Sequence, residues 1–287
     1  MARYAYVNGQ YVDHRTANVH IEDRGYQLAD GVYEVVGVHD GRLIDEGPHI
    51  DRLGRSLGEL RIGWPVSRTA LGFILRELMR RNRLRDGLIY MQVTRGVARR
   101  DHAFPTAPVK PALVITTKNG KRGAADPGPG VGVKSMPDIR WERCDIKTVA
   151  LLPNVLAKQA ARESGAYEAW LVDDQGCVTE GASTNAWIVT EDDELITRQT
   201  DHGILAGITR QTLKKLCDSL QLKFVERPFS LAEAKRAKEA FISSATSFVT
   251  PVVKIDGAPV ADGKVGPVAR RLREEYVRFA SAGESIT

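Results

Sequence analysis

The chain has 287 residues, of which 43% are hydrophobic and 27% are charged, and its formal net charge is +5. This composition is typical of globular proteins and excludes a disordered or collagen-like chain, and the length favours two domains. The basic residues are scattered rather than arranged in blocks, so the charge does not support nucleic-acid binding and we expect none.

Cysteine usage and the N-terminal sequence indicate the compartment. Cys144, Cys177 and Cys217 are far apart and form neither a CxxC pair nor a zinc-binding pattern, which favours a reducing cytoplasm and predicts no metal site. The N terminus has no long apolar segment behind basic residues, and no window of about 18 apolar residues occurs. We therefore expect a cytoplasmic protein without a cleaved leader or membrane attachment.

The first part of the chain predicts two hairpins followed by two helices. The sequence YAYVNGQYVD places β-prone residues on both sides of Asn8 and Gly9, a strong hairpin signal. Residues 32–44 repeat this pattern. Hydrophobic residues at helical spacing then occupy 50–60 and 71–79. Two strands, LIYMQVT and ALVITTK, follow on either side of a polar, arginine-rich loop at 96–105.

A glycine-, proline- and alanine-rich segment, residues 119–130, predicts a boundary between two domains. We expect a small α+β domain at 1–118 and a larger domain at 131–287. In the larger domain, strand-like segments such as VGVKSM, NAWIVT and EAFISS alternate with amphipathic helices, one of them opened by a capping box at Ser230 and Glu233. The predicted fold class is therefore α+β, with mixed or antiparallel sheets and helices.

One lysine has an unusually apolar setting. Lys147, in WERCDIKTVALLPN, lies between Ile146 and Thr148 and is followed by an apolar run. Lysine is rarely buried because its charge is costly to remove from water, so a solvated side chain is the common interpretation. The alternative is an amine that burial keeps neutral for attack on a carbonyl group.

Eight segments along nearly the whole chain carry a family pattern: EDRGYQLADGVYEVV, HIDRL, QVTRG, RRDHAFP, DIRWERCDIK, VTEGASTN, GITR and DGKVGP. In this order they resemble the fold-type IV pyridoxal-phosphate enzymes, and among these the D-amino-acid aminotransferases. The resemblance implies a homodimer with pyridoxal 5'-phosphate in the cleft between the two domains, and makes 131–287 the cofactor-binding domain. It also implies that Lys147 is the catalytic residue and forms a Schiff base with the cofactor.

The resemblance assigns further cofactor contacts residue by residue. Glu180 would pair with the pyridine nitrogen, so that the ring draws electrons from the substrate, and Arg52 would bind the phosphate with its bidentate fork. In isolation, Glu180 would be an ordinary turn acid and Arg52 a solvated helix residue. The remaining implied contacts are Leu205 on the ring face, the helix start at Gly207, Ile208 and Thr209, and the turn at Ser244, Ala245 and Thr246. Close family members tend to carry threonine in place of Ala245.

The loop at 96–105 bears on the substrate. Arg100 and His102 are two residues apart, so in an extended loop both side chains could face the same side. The resemblance assigns them, with Tyr33, to the α-carboxylate of the substrate, whereas a solvated basic loop is the alternative. The implied reaction is ping-pong transamination between a D-amino acid, such as D-alanine or D-glutamate, and 2-oxoglutarate or pyruvate. Its expected partners are these small molecules.

Other activities of the same fold would keep Lys147 and Glu180. They are those of a branched-chain L-amino-acid aminotransferase, an (R)-amine transaminase and an aminodeoxychorismate lyase. We expect these enzymes to differ in the loop that carries Arg100 and His102. A basic binding protein without catalysis is the alternative from another class.

Overall fold

The computed structural model describes residues 3–120 and 126–282, which divide into two compact units. The first comprises 3–120 and 146–150, and the second comprises 126–145 and 151–282. Of the predicted linker, 119–130, residues 121–125 lie outside the described residues. The segment 146–150, which carries Lys147, groups with the first unit, a detail absent from the predicted division at 1–118 and 131–287.

The first unit is built on an antiparallel sheet. Its elements are β1 (Tyr4–Val7), β2 (Gln10–Asp13), α1 (Arg24–Leu28), β3 (Gly31–His39), β4 (Arg42–Leu43), α2 (Glu46–Glu59), α3 (Arg68–Asn82), β5 (Gly87–Thr94) and β6 (Ala112–Asn119). The strand order is β2-β1-β6-β5-β3-β4, and every neighbouring pair is antiparallel.

Alternation along the strands places the core of this unit. Every second residue of β5 from Gly87 to Val93 is buried, as expected for a sheet with one covered face. Val36 of β3 and Ile89 of β5 form one buried cluster with Leu57 of α2 and Leu75 of α3. The two predicted helices, α2 and α3, therefore pack against one face of the sheet.

Both predicted hairpins form, but the second is short. Asn8 and Gly9 have φ of 47° and 101°, and Asp40 and Gly41 have φ of 45° and 75°, the left-handed pair that a two-residue hairpin turn needs. The return strand β4 has only two residues, and the main partner of β3 is β5. Helix α1 is not predicted, because its five residues are too few to show a hydrophobic period.

The second unit contains a mixed sheet. Its elements are β7 (Val131–Pro137), α4 (Leu152–Glu163), β8 (Glu168–Val172), β9 (Val178–Gly181), β10 (Asn185–Val189), β11 (Leu195–Thr197), α5 (Ile208–Ser219), β12 (Phe224–Glu226), α6 (Leu231–Arg236), β13 (Glu239–Ser244), β14 (Phe248–Ile255), β15 (Ala258–Pro259) and α7 (Pro267–Ala282). The order is β12-β11-β10-β13-β14-β7-β8-β9, with β15 beside β14. The pairs β11–β12, β14–β7 and β7–β8 are parallel and the others antiparallel. The predicted α+β class with mixed or antiparallel sheets is thus confirmed.

Side-chain caps fix where helices of this unit begin. Ser230 Oγ accepts a hydrogen bond from Glu233 N at 3.0 Å, one of the two bonds of the predicted capping box. The carboxylate of Glu239 accepts from the first-turn amides of Val268 and Ala269, both at 2.9 Å, and so caps α7. Within the described ranges, no helix has the length and apolar character needed to cross a membrane.

Candidate active site

Lys147 lies beside the start of β3. Its carbonyl oxygen accepts from Tyr33 N at 2.9 Å, and Val149 N donates to Gly31 O at 3.1 Å, while Val32 and Thr148 form an antiparallel bridge. The side chain is half-buried, and its Nζ lies 4.3 Å from the centroid of the Tyr33 ring. The structure therefore brings together the predicted catalytic lysine and the predicted carboxylate-binding tyrosine.

Arg52 is oriented by a buried acid. Its Nε and Nη2 donate to Oε1 and Oε2 of Glu34 at 2.7 and 2.9 Å, and His49 Nδ1 lies 2.8 Å from Glu34 Oε2. Burial alone would raise the pKa of Glu34, but the charge and hydrogen bonds of Arg52 and His49 outweigh it and hold that pKa well below its usual range. An ionised carboxylate thus fixes the predicted phosphate-binding guanidinium.

Arg100 and His102 lie on the loop between β5 and β6, and both are exposed. Arg24 Nη1 donates a hydrogen bond to the carbonyl oxygen of Asp101, the residue between them, at 2.6 Å. The solvent-facing placement is compatible with capture of a substrate carboxylate, and this role stays a prediction.

Glu180 is buried at the end of β9 in a set of hydrogen bonds. Its Oε1 accepts from Arg140 Nη1 at 2.5 Å and from Leu205 N at 3.2 Å, and its Oε2 accepts from Asn185 Nδ2 at 3.0 Å. Asn185 Nδ2 also donates to the carbonyl oxygen of Leu205 at 3.0 Å. The predicted ring-nitrogen acid and the predicted ring-packing leucine are therefore neighbours.

Arg140 connects Glu180 to a second acid. It donates to Asp138 through Nε at 2.9 Å and Nη2 at 2.7 Å, and Nη2 also donates to Gly203 O at 3.0 Å. Burial lowers the pKa of Arg140, but Asp138 and Glu180 outweigh it and raise that pKa above its ordinary value. Burial likewise raises the pKa of Asp138, and the hydrogen bond and charge of Arg140 more than offset this, so the net shift is downward. The sequence does not reveal the pairing of Arg140 with Glu180, because it joins two segments that are distant along the chain.

Gly207, Ile208 and Thr209 form the start of α5, as predicted. Gly207 is the N-cap, and a Cβ at this position would lie 2.0 Å from Asn185 Oδ1, so any larger residue would displace the Asn185 side chain. Helix α5 is described throughout and has no acidic side chain in its first turn. Its amide groups and dipole therefore suit an anion. The hydroxyl of Thr209 lies 3.4 Å from that of Tyr276.

The turn after β13 gathers hydroxyl groups. Ser244 Oγ lies 2.9 Å from Thr246 Oγ1 and 2.8 Å from Ser247 Oγ, and the amide groups of Thr246 and Ser247 also point to it. Ala245 is half-buried within this turn. Arg273 of α7 supports the turn, since its Nη1 donates to the carbonyl oxygens of Ser247 and Val249 at 2.9 and 2.5 Å.

These donor and acceptor groups fit pyridoxal phosphate. A guanidinium group, a helix start and a hydroxyl-rich turn suit the phosphate dianion. A carboxylate with three hydrogen-bond donors suits a protonated ring nitrogen, and a half-buried amine suits an aldehyde. Arg52 and Lys147 belong to the first unit, and Glu180, Gly207 and Ser244 belong to the second.

Comparisons with known proteins agree with this chemistry. The chain matches the family model described as Amino-transferase class IV over residues 31–255. It therefore belongs to the class IV aminotransferase family. A D-alanine aminotransferase of Staphylococcus haemolyticus is 41% identical over 281 residues, covering 98% of this chain and 99% of the relative. A D-alanine aminotransferase of Staphylococcus aureus (strain COL) is 41% identical over 275 residues, covering 96% of each.

A solved structure shows the fold. The branched-chain amino acid aminotransferase of Escherichia coli superposes with a TM-score of 0.90 at 23% identity, covering 100% of this chain and 97% of that one. The prediction of a fold-type IV enzyme most similar to the D-amino-acid aminotransferases is thus confirmed.

Proposed function

We propose that the protein transfers the amino group of a small D-amino acid, such as D-alanine or D-glutamate, to 2-oxoglutarate or pyruvate, with pyridoxal 5'-phosphate as cofactor. The observation that carries the proposal is the half-buried amine of Lys147, 4.3 Å from the centroid of the Tyr33 ring. The D-alanine aminotransferases that match nearly the whole chain support the choice of substrate.

Pyridoxal phosphate is the cofactor of the class IV aminotransferases, and when bound it takes up the amino group of one substrate, withdraws electrons from its Cα and passes the amino group to the next. Arg52, the start of α5 and the Ser244–Thr246 turn would hold the phosphate. Leu205 would pack on the ring. Glu180, which accepts hydrogen bonds from Arg140, Asn185 and Leu205, would pair with the ring nitrogen and keep it protonated.

Lys147 has two tasks in this proposal. Its amine would hold the cofactor, and it would carry a proton to and from the substrate Cα. Arg100, His102 and Tyr33 would hold the α-carboxylate, since a guanidinium group binds a carboxylate bidentately and the other two add donors. A lysine reaching the substrate from one side can remove the Cα proton of only one enantiomer. The carboxylate site therefore sets the preference for D-amino acids.

We further propose a homodimer in the cytoplasm. Helix α4 exposes Leu152, Val155 and Leu156, with 68%, 56% and 55% of each residue accessible, and Trp141 and Ile139 are exposed as well. The three leucine and valine positions form one apolar stripe on the helix, and such patches are typical of protein–protein interfaces. The free cysteines support a reducing compartment. Light scattering coupled to size-exclusion chromatography measures the oligomeric state.

Borohydride reduction followed by peptide mass mapping tests the role of Lys147. Reduction of the protein loaded with pyridoxal phosphate should fix the cofactor to the peptide that contains Lys147. The Lys147→Ala variant should lose this label and also lose steady transamination, because anchor and proton carrier disappear together. Lys158 is the matched control, since it lies on α4 and pairs with Glu168 at 3.0 Å. A label on Lys158 in the wild type would overturn the assignment.

A further inference from the structure

Two buried arginines share one carboxylate just before β3. Arg24 Nε donates to Asp30 Oδ2 at 2.8 Å, and Arg95 donates through Nε and Nη2 to Oδ2 and Oδ1 at 2.7 and 3.0 Å. The side chains of Arg24, Asp30 and Arg95 are 2%, 10% and 10% exposed. Two guanidinium groups against one acid leave an excess of positive charge that other acceptors must satisfy.

Both guanidinium groups reach the loop that carries Arg100 and His102. Arg24 Nη1 donates to the carbonyl oxygen of Asp101, the residue between them, at 2.6 Å. Arg95 Cζ lies 3.8 Å from the centroid of the Phe104 ring, at cation–π distance. The loop is thus held on both sides of His102.

The base of the same loop is held by backbone contacts. Arg24 N donates to Gly96 O at 2.9 Å and Arg95 N donates to Asp30 O at 3.1 Å, while Ala98 N donates to Glu22 O at 3.3 Å. The two arginines and Asp30 therefore hold the loop at its start through the backbone and near its tip through their side chains.

The energetics explain why an exposed loop would keep one conformation. Arg95 also donates to the carbonyl oxygens of Leu60 and Arg61 at 2.7 and 3.1 Å, so carbonyl groups satisfy much of the buried charge. If the loop moved away, the Nη1 group of Arg24 would lose the Asp101 carbonyl, and an unmade charged hydrogen bond costs more than a neutral one. The hydrogen bond of the buried Arg24 guanidinium group therefore favours the conformation of the loop seen in the structure.

We propose that Arg24, Asp30 and Arg95 form a clamp that positions Arg100 and His102 for the substrate carboxylate. The three are positioning residues, which act on substrate only through the loop. The inference rests on the proposed function, which assigns the carboxylate to Arg100 and His102. It extends the substrate-binding machinery to the buried cluster of Arg24, Asp30 and Arg95 behind the loop.

Two mild changes weaken the clamp on its loop side. Arg24→Lys keeps the charge beside Asp30, but one ammonium group cannot span Asp30 and the Asp101 carbonyl as the guanidinium does. Phe104→Leu removes the ring from Arg95, and because Phe104 is 50% exposed the core is unaffected. Phe104→Tyr keeps the ring and is the conservative rescue. Phe73→Leu, at a 71% exposed position on α3, is the matched control.

The experiment has two readouts on folded protein, with folding checked by circular dichroism. In the first, trypsin cleavage after Arg99 and Arg100 should become about tenfold faster in Arg24→Lys and Phe104→Leu, because a loop released from its contacts is more often open. In the second, steady-state kinetics should show the KM for D-alanine raised about five- to tenfold with kcat little changed, since substrate binding rather than chemistry is weakened. Phe104→Tyr and Phe73→Leu should behave as wild type in both.

Arg100→Ala separates the two levels of the proposal. If Arg100→Ala raises the KM for D-alanine while the clamp variants change neither cleavage nor KM, the clamp is wrong and the proposed function stands. If Arg100→Ala leaves KM unchanged, the carboxylate assignment fails and the clamp loses its purpose with it. An equal change in Phe73→Leu and Phe104→Leu would also overturn the clamp.

Discussion

Loss of the Arg140 side chain is predicted to destabilise the second unit. Its side chain is 7% exposed, and its partners Asp138 and Glu180 are 11% and 8% exposed. Arg140→Met keeps most of the volume of the side chain and removes its charge. The buried carboxylates of Asp138 and Glu180 then lose their cationic partner. Breaking a buried pair by removing one partner typically costs about 3–5 kcal/mol, and we expect the free energy of unfolding to fall by about this amount at pH 7.

Urea denaturation of the wild type and the variant measures this loss. Arg278→Met is the matched control, because it makes the same replacement in the same unit at a 70% exposed position paired with Glu275 at 2.9 Å. An exposed pair contributes about 0–1 kcal/mol, so the control should stay close to wild type. A loss in Arg140→Met no larger than in Arg278→Met would refute the reasoning.

The pH dependence gives an independent check. Burial raises the pKa of Asp138, but Arg140 outweighs this and lowers it in the folded protein. Asp138 therefore contributes stability that is fully present above its unfolded pKa of about 3.9 and lost as the pH falls through the folded value. The gap between wild type and Arg140→Met should be widest near neutral pH and should narrow as the pH falls, because burial without Arg140 raises the pKa of Asp138, so the variant takes up this proton at a higher pH than the wild type does. A gap that stays constant over this range would contradict the charge-based explanation.

Three further changes test the remaining parts of the site. Glu180→Gln should lower kcat by roughly a hundredfold or more with little change in the KM for D-alanine, because the acid acts in chemistry rather than in substrate binding; unchanged turnover in steady-state assays would assign its role to another group. Ala245→Thr should tighten pyridoxal phosphate binding by about 0.5–1.5 kcal/mol, the net contribution of one hydrogen bond, and weaker retention in a fluorescence titration would show that the added side chain only crowds the turn. Gly207→Ala should cost about 1–3 kcal/mol of stability or cofactor affinity through overpacking, since its Cβ would lie 2.0 Å from Asn185 Oδ1; unaltered thermal denaturation and cofactor titration would argue against the close approach.

Local signals predicted the elements of the fold well. Two hairpin turns are each specified by a pair of adjacent residues, Asn8–Gly9 and Asp40–Gly41. The start of α6 is specified by Ser230 and Glu233. In helices α2, α3, α5 and α7, hydrophobic residues recur at helical spacing over several turns, and this pattern is visible within one continuous segment of sequence. Pairing between distant segments has no such signal, so the main partner of β3 and the grouping of residues 146–150 with the first unit could not be predicted.

The candidate site divides in the same way. The resemblance named Arg52, Lys147 and Glu180, because each lies within a short motif that can be read directly. It did not provide Glu34 as the partner of Arg52, nor Arg140 as the partner of Glu180, 40 residues away in sequence. These ion pairs depend on how strands and helices pack, and a charge in the sequence does not reveal which opposite charge it will meet. The ion pairs of Arg24 and Arg95 with Asp30 could not be predicted for the same reason.

Comparison of D- and L-amino acids in a single half-reaction tests the central claim most directly. The wild-type enzyme loaded with pyridoxal phosphate is mixed with D-alanine, L-alanine or L-leucine in the absence of a 2-oxo acid, and loss of the visible absorption band of the cofactor is followed. D-alanine should react about a hundredfold faster or more, as expected when one enantiomer forgoes a charge-assisted contact of about 2–3 kcal/mol. An enzyme that reacts equally fast with L-leucine would contradict the account and place the chain with the branched-chain enzymes of the family.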